Sequence, residues 1–465
     1  MSERNDCGIM DLRINKLTDP EVLGMKKRFV IVGASSRALS SYGRPLAEMA
    51  KERVEIRQFG YGDDAADRDA IASACELVGV FDVNVGRARY FAAELDVPVY
   101  EDFDTMLAEQ KPDCIIVTTT DCAHAEYIVR GLDGGFDVWT EKPMCITADQ
   151  CRAILEAERR NGRKIGVCFN MRYMNVILQI KQIIDSGVLG KIYNVALEWL
   201  LTKDFTAGHS GHGASYYRRW NAYMEKSGGL LLTKSTHHFD MVNWFIGGRP
   251  KRVSAFGRLR EYGKNGTFRG ERCSTCPHTK KCRYYYKISD FNRKMFVENE
   301  KYDGYIIDRC VYDEAIDTYD TMSLNVEYTN GVLMSYSESS AAMYEGFKLF
   351  INGSDARLEV QSFSSGGVKS GENPDYIRII KPGPEDENIT VIEKAPTLSG
   401  GHGGADDAMR RVLFLGEEPQ FECQKANSLD GAYSILIGAA ANESIKTGKI
   451  IDIDEFIGDA GLLDR

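Results

Sequence analysis

At 465 residues and 43% hydrophobic content, the chain can fill two or three globular domains of roughly 150 residues each, which excludes a disordered or fibrous protein. Its 58 basic and 68 acidic residues leave a net charge of −10, so nucleic acid and anionic membrane surfaces are not expected partners. No run approaches the ~20 unbroken apolar residues of a membrane span, and residues 1–24 lack the apolar core of a secretory signal; the expected location is the cytoplasm, with a flexible leader over 1–24.

From residue 25 the pattern alternates strand and helix. Short apolar runs at 28–32, 76–81, 114–117, 137–140 and 164–168 read as strands, and segments at 46–51, 86–95, around Glu126 and at 147–161 read as helices. Near-continuous apolar strands between amphipathic helices indicate a parallel sheet covered on both faces. The spacing predicts an α/β, doubly wound Rossmann domain over residues 25–170. Over 171–465 the texture changes to longer alternating segments, at 192–201, 323–328 and 332–337, which read as antiparallel strands. These predict a second, α+β domain built on a large, predominantly antiparallel sheet. An excursion at 258–310 carries a cysteine cluster, 362–374 is a Gly/Ser-rich loop or hairpin, and 430–447 reads as a closing helix packed through small residues.

Directly after the first strand come Gly33, Ser35, Ser36, Arg37 and Ala38, a dinucleotide turn in which Ser replaces the second glycine and Ala the third. A simple strand-to-helix turn is the bland alternative. At the end of the second strand, the carboxylate of Asp82 would accept bonds from both adenosine ribose hydroxyls and repel a 2′-phosphate, favouring NAD over NADP. It stands 49 residues after Gly33 instead of the usual ~20, so the acidic stretch 55–69 must be an insertion. Cys273, Cys276, Cys282 and Cys310 offer four thiolates, enough for a closed structural zinc site that staples the excursion; an iron–sulfur cluster or free thiols are the alternatives. Of the seven histidines, His209 and His212 lie in one glycine-flanked segment, His237 and His238 are adjacent, and His402 lies between glycines. Such positions suit substrate loops better than cores, although His209 and His212 are also spaced for a metal. Tyr216 and Tyr217 beside them offer aromatic platforms for a sugar ring.

Four further motifs occur in order: Thr118, Thr119, Thr120 and Asp121 with His124; Glu141-Lys142-Pro143; Gly187 to Ile192; and Gly228-Gly229 followed by His237 and Asp240. On these the chain resembles the glucose–fructose oxidoreductase, inositol dehydrogenase and rhizopine-catabolism family, Gfo/Idh/MocA. The resemblance implies a cofactor and substrate cleft between the two domains, and a homo-oligomer. It implies cofactor contacts from Thr119, Asp121, His124, Glu141, Lys142 and Trp220, and substrate contacts from Arg172, Thr233, Lys234 and His238. Lys142 would touch both substrate hydroxyl and nicotinamide, whose like charge would lower its pKa towards the range useful for proton transfer. A surface lysine at 142 and simple core burial of Trp220 are the bland readings.

One departure matters. The family usually places Asp four residues before the cleft histidine; here Thr233 stands there, so Lys142 and His237 are the expected acid–base pair. The expected activity is hydride transfer between tightly held NAD and a secondary hydroxyl, C3, of a sugar or glycoside. A redox-neutral, NAD-dependent glycosidase acting through transient C3 oxidation and elimination is the alternative. A non-catalytic NAD(H) sensor is a third, disfavoured by Lys142 and the histidine-rich loops.

Overall fold

The computed structural model describes residues 26–47, 65–203, 211–366, 375–384, 388–398 and 401–464. Six strands form the first sheet: β1 (Lys27–Val32), β2 (Cys75–Phe81), β3 (Val99–Tyr100), β4 (Cys114–Val117), β5 (Asp137–Thr140) and β6 (Ile165–Val167). Their order is β3-β2-β1-β4-β5-β6, every pairing is parallel, and β1 and β4 are almost wholly buried, as expected of β-branched strands covered on both faces. The strand order reverses between β1 and β4, so Gly33 and Thr118 open onto the crevice where ligands bind in such sheets.

The helix expected at 46–51 begins ten residues earlier. Ser35 caps it by accepting a bond from the Ala38 amide at 3.0 Å, and helical turns then run through Ser36–Ala38, Leu39–Gly43 and Arg44–Leu46. An apolar count misses this start because the first turn is polar. Residues 48–64 lie outside the described residues, and the end of the acidic stretch enters the Ala65–Ala74 helix.

The second sheet has nine strands: β7 (Ile192–Thr202), β8 (Pro250–Arg258), β9 (Thr321–Tyr328), β10 (Leu333–Ala342), β11 (Tyr344–Gly353), β12 (Arg357–Gly366), β13 (Tyr376–Ile380), β14 (Ile389–Ile392) and β15 (Ile451–Asp452). Its order is β14-β13-β12-β11-β7-β10-β9-β8-β15. The sheet is mixed: β7 is antiparallel to β11 but parallel to β10, which alternation along a single strand cannot foretell. On the inner face Val195, Leu197, Trp199 and Leu201 of β7 lie beside Tyr336, Glu338 and Ser340 of β10, so the buried side of β10 is polar. The closing helix spans Ser428–Thr447, entered through a capping box between Asn427 and Asp430.

Two later segments cross back to the first sheet. The Ala405–Phe414 helix packs into the cluster of Phe29, Ile31 and Tyr42, with Phe414 edge-on to Phe29 at 5.2 Å. The far end of the cysteine-rich excursion reaches the helix after β2, where Asn84 donates to the Asn299 carbonyl at 2.9 Å and Arg87 pairs with Asp303 at 2.7 Å. Among the described residues no helix is long and apolar enough to cross a membrane.

Candidate active site

At the mouth of the crevice Gly33 adopts φ +100°, and a Cβ there would sit 2.6 Å from the Thr118 and Thr119 backbone, so the turn admits no side chain. Ser35 spends its hydroxyl on the helix cap, Ala38 is buried behind it, and Ser36 and Arg37 are half-buried. Asp82 braces this turn: it accepts from the Ala34 and Asn84 amides, both at 2.7 Å, and from Arg87 at 3.2 Å. The close-approach turn and the carboxylate at the second strand end fit a dinucleotide.

Arg37 was expected to face the cofactor. Its guanidinium is instead stretched between Glu141, at 2.7 Å, and Asp406, which it holds with two bonds of 2.8 and 2.9 Å. Asp406 also accepts from Asn170 and meets His402 Nδ1 at 3.0 Å. Tyr42 donates to the same Glu141 oxygen. Burial opposes ionisation of Glu141, but Arg37, Lys142 and Tyr42 outweigh it and hold its pKa below the ordinary value. Tyr42, Asn170 and Asp406 are participants that no motif singles out.

Beyond Glu141, Lys142 Nζ donates to the Thr233 carbonyl at 2.8 Å, across the divide between the two sheets' halves. Burial, then neighbouring Lys234, brings its pKa down to about 8, against the pull of Glu141 and Asp121. The depression needs no nicotinamide. Asp121, at 3% exposure, is pushed up to about 8 by burial, opposed first by the charge of Lys142. His237 lies edge-on to Phe169 in the same surroundings, and burial followed by Lys142 and Lys234 drives its pKa well down. Buried Asp121 Oδ2 and His237 Nδ1 have no protein partner. Unpaired buried polar atoms are costly, and here they point to a ligand site.

The second sheet supplies another layer. His238 stacks on Trp199 at 3.8 Å and bonds the Tyr336 hydroxyl through Nδ1 at 2.7 Å, while its Nε2 is buried without a protein partner. Glu338, missed by sequence reasoning, accepts from Ser235 and Tyr336, and burial pushes it up to about 7. Lys234 stands 5.7 Å over the Trp199 ring. His212 bridges Glu345, at 2.7 Å, and the Tyr216 hydroxyl, at 3.2 Å, and stays 41% exposed. These three side chains form one polar cluster. Trp220 is half-buried at the start of a turn, and Thr119 is half-buried beside Asp121.

Several expectations are corrected by burial. Arg172 is 1% exposed and bonds both oxygens of Asp240 and the Cys423 carbonyl, so it ties helices together and cannot reach a substrate. Tyr217 is fully buried, stacked on Tyr262 at 4.1 Å, with its hydroxyl on the Tyr319 carbonyl. His124 sets both ring nitrogens against carbonyls, of Pro143 at 2.7 Å and Thr119 at 3.1 Å, which makes it a brace between two loops rather than a cofactor contact. His209 lies outside the described residues.

The structure gives the zinc expectation no support. Cys273, Cys276, Cys282 and Cys310 line one small cavity, yet among the described residues no group of three or more His, Cys, Asp or Glu side chains is placed to hold a metal ion. Arg218 donates to Cys273 Sγ at 3.1 Å and to the Tyr284 carbonyl, so a guanidinium already stands against one of the four thiols.

Comparison with known proteins agrees with this architecture. The oxidoreductase family with an NAD-binding Rossmann fold (Gfo/Idh/MocA) matches residues 27–169, and its C-terminal alpha/beta domain matches 181–453. YteT of Bacillus subtilis (strain 168), provisionally named an oxidoreductase, is 34% identical over 452 residues, covering 92% of this chain and 98% of that protein. Inositol 2-dehydrogenase of Salmonella typhimurium is 27% identical over 187 residues, 40% of this chain and 51% of that protein. Among solved structures, levoglucosan dehydrogenase in complex with NADH superposes with a TM-score of 0.59 at 14% identity, covering 92% of this chain and 99% of that one. That likeness shows the fold.

Proposed function

This chain belongs to the Gfo/Idh/MocA family of NAD-dependent oxidoreductases, and from that membership we propose that it moves a hydride between tightly held NAD and a secondary hydroxyl, at ring C3, of a sugar or glycoside. The observation that carries the reading is the half-buried Lys142 amine bonded to the Thr233 carbonyl, with buried Asp121 Oδ2 and His237 Nδ1 left without protein partners. Polyol substrates in the names of inositol 2-dehydrogenase and levoglucosan dehydrogenase support the substrate class. So does the wall of His212, Tyr216 and Glu345.

Bound NAD would supply the hydride acceptor. Gly33 to Ala38 would hold its pyrophosphate, Asp82 the adenosine ribose, and Glu141 with Trp220 the nicotinamide half. Lys142, with its pKa near the working pH, takes the hydroxyl proton as free amine and returns it as ammonium. His237, kept neutral by burial and two lysines, orients the hydroxyl through its unpaired Nδ1. The test is single-turnover reduction of bound NAD by a panel of polyols and glycosides, read by reduced-nicotinamide absorbance; no reduction by any of them would overturn the reading.

The Arg37 to Asp406 clamp favours a second reading, the redox-neutral glycosidase. A turn tied to a helix from the far end of the chain hinders cofactor exchange. Oxidation at C3 would acidify the C2 hydrogen, a base would remove it with loss of the aglycone from C1, water would add across the resulting C1–C2 double bond, and return of the hydride to C3 would close the cycle. C3-deuterated substrate distinguishes the two: deuterium retained in a released sugar supports cleavage, while an accumulating 3-keto glycoside supports net oxidation. Exposed Tyr193, Phe256, Leu333, Ile389 and Val391 on strands of the second sheet support a homo-oligomer, which size-exclusion chromatography tests. We read the protein as cytoplasmic.

A further inference from the structure

The choice between NAD and NADP depends on what a 2′-phosphate would meet beside Asp82. In dinucleotide-binding sheets an acidic residue at this place takes the ribose hydroxyls, whereas a nearby arginine takes the 2′-phosphate of NADP. This chain has both. Asp82 follows β2, and Arg87 lies in the first turn of the Val85–Leu95 helix, donating to Asp82 Oδ1 at 3.2 Å.

Arg87 is not free to turn outward. Its Nη2 forms a closer ion pair with Asp303 Oδ2, at 2.7 Å, its guanidinium lies 5.7 Å from the centre of the Tyr305 ring, and its side chain is 12% exposed. Asp303 is fixed in turn, because its Oδ1 accepts from the Tyr305 amide at 3.1 Å. Two carboxylates therefore face one guanidinium, and the unbalanced charge is negative.

Asp303 and Tyr305 belong to the cysteine-rich excursion, and the excursion is seated firmly against the helix that carries Arg87. Asn84, the cap of that helix, donates to the Asn299 carbonyl at 2.9 Å, and Tyr90 lies edge-on to Phe291 at 6.2 Å. Arg272, beside Cys273, bonds both oxygens of Glu300 and the carboxylate of Asp308, which ties the segment around Asp303 back to the cysteine loop.

We propose that Asp303 is a cofactor-specificity residue: by engaging Arg87 it withholds that guanidinium from a 2′-phosphate, so the excursion takes part in selecting NAD over NADP. The inference rests on reading the Gly33 crevice as a dinucleotide site and goes beyond it by dividing the choice between two carboxylates. Asp82 repels the phosphate, and Asp303 occupies the group that would attract it, since a guanidinium matches phosphate oxygens with paired N–H donors. Asp303 acts through Arg87 and is a positioning residue.

The test is competition on holoenzyme loaded with labelled NAD: displacement by unlabelled NAD and by NADP, read as the ratio of the two half-displacing concentrations. Asp303→Asn should improve NADP relative to NAD by ~10-fold, the scale of one charge-assisted hydrogen bond, and leave the NAD value within ~3-fold of wild type. Asp303→Glu should keep the wild-type ratio, because it keeps the charge. Adding Arg87→Met to Asp303→Asn should return the ratio to the wild-type range, since Asp82 then stands alone and the net charge is again that of wild type. Asp303→Ser keeps an acceptor for the Tyr305 amide, carries the same expectation as Asp303→Asn, and serves if the latter does not fold. A gain for NADP that survives loss of Arg87 would overturn the proposal. So would a variant that weakens both cofactors alike with the ratio unmoved, which is what a merely structural tie would give. If wild type takes up no labelled dinucleotide at all, the crevice reading fails and the proposal with it; uptake of NAD with an unmoved ratio sinks the proposal alone.

Discussion

Replacing Lys142 by Met removes the amine while leaving the Gly33 turn and its brace Asp82 intact, so NAD content should persist while turnover falls by ~10²–10⁴-fold. Retention of more than a tenth of wild-type activity, about 1.4 kcal/mol or less of lost transition-state stabilisation, would contradict the role. Asp82→Ala deletes three bonds at once and leaves Arg87 facing the ribose site with Asp303 as its remaining carboxylate. Binding of NAD should weaken and discrimination against NADP relax, measured as the ratio of the two dissociation constants; equal affinity of the wild type for both would remove the assignment. Glu338 provides a stability test. Its folded pKa is raised from 4.5 to about 7 by burial, so its contribution is fully present below pH 4.5 and is lost as the pH rises through 7. Glu338→Gln stays neutral, and its Tm should therefore gain on that of wild type between pH 5 and pH 8. A constant difference across that window would show that Glu338 does not titrate there.

At the level of elements, the closing Ser428–Thr447 helix positions the site through contact with the Leu230–Thr233 turn. A Cβ on Gly438 would lie 2.4 Å from the Leu231 carbonyl oxygen, in backbone that has no flexible tip to yield. Gly438→Ala forfeits its gain in helix propensity, about 1 kcal/mol, to overpacking of about 1–3 kcal/mol. It should lower Tm and also reduce turnover, because the displaced turn carries the Thr233 carbonyl that receives Lys142. By contrast, Asn427→Ala removes two cap bonds at the remote end of the same helix and should cost about 1 kcal/mol without changing the rate. Thermal melting beside single-turnover kinetics separates the two effects. This helix was visible in the sequence from its run of small and apolar residues. The Ala405–Phe414 helix was not, since its acidic first turn follows a glycine-rich stretch that reads as loop.

For the whole molecule, two long-range links hold the cofactor side. Arg37, four residues into the dinucleotide turn, is bonded to Asp406, and the tip of the cysteine-rich excursion meets Asn84 and Arg87 beside Asp82. Asp406→Asn weakens the first link at both of its bonds and should speed NAD release, read by displacement of bound cofactor with an excess of labelled NAD. An unchanged release rate would show that the clamp does not govern exchange. The buried Arg37, Glu141 and Asp406 group is also where loss of one partner strands a charge, so the substitution should lower Tm as well.

The sequence by itself determined the parallel sheet, because near-continuous apolar runs such as 114–117 are satisfied by burial on both faces, and it determined the glycine turn, because the spacing from strand to turn is local. It also marked Lys142 and His237 through their motifs. Which polar residues would surround them was decided by tertiary structure alone. Lys142 and Thr233 lie far apart in the chain, as do Arg37 and Asp406, and no local periodicity reports a hydrogen bond between segments that meet only when both halves fold. The same reason explains the corrections: Arg172 and Tyr217 have the chemistry of ligand contacts, and only the packing of Asp240, Tyr262 and the helices around them turns that chemistry inward.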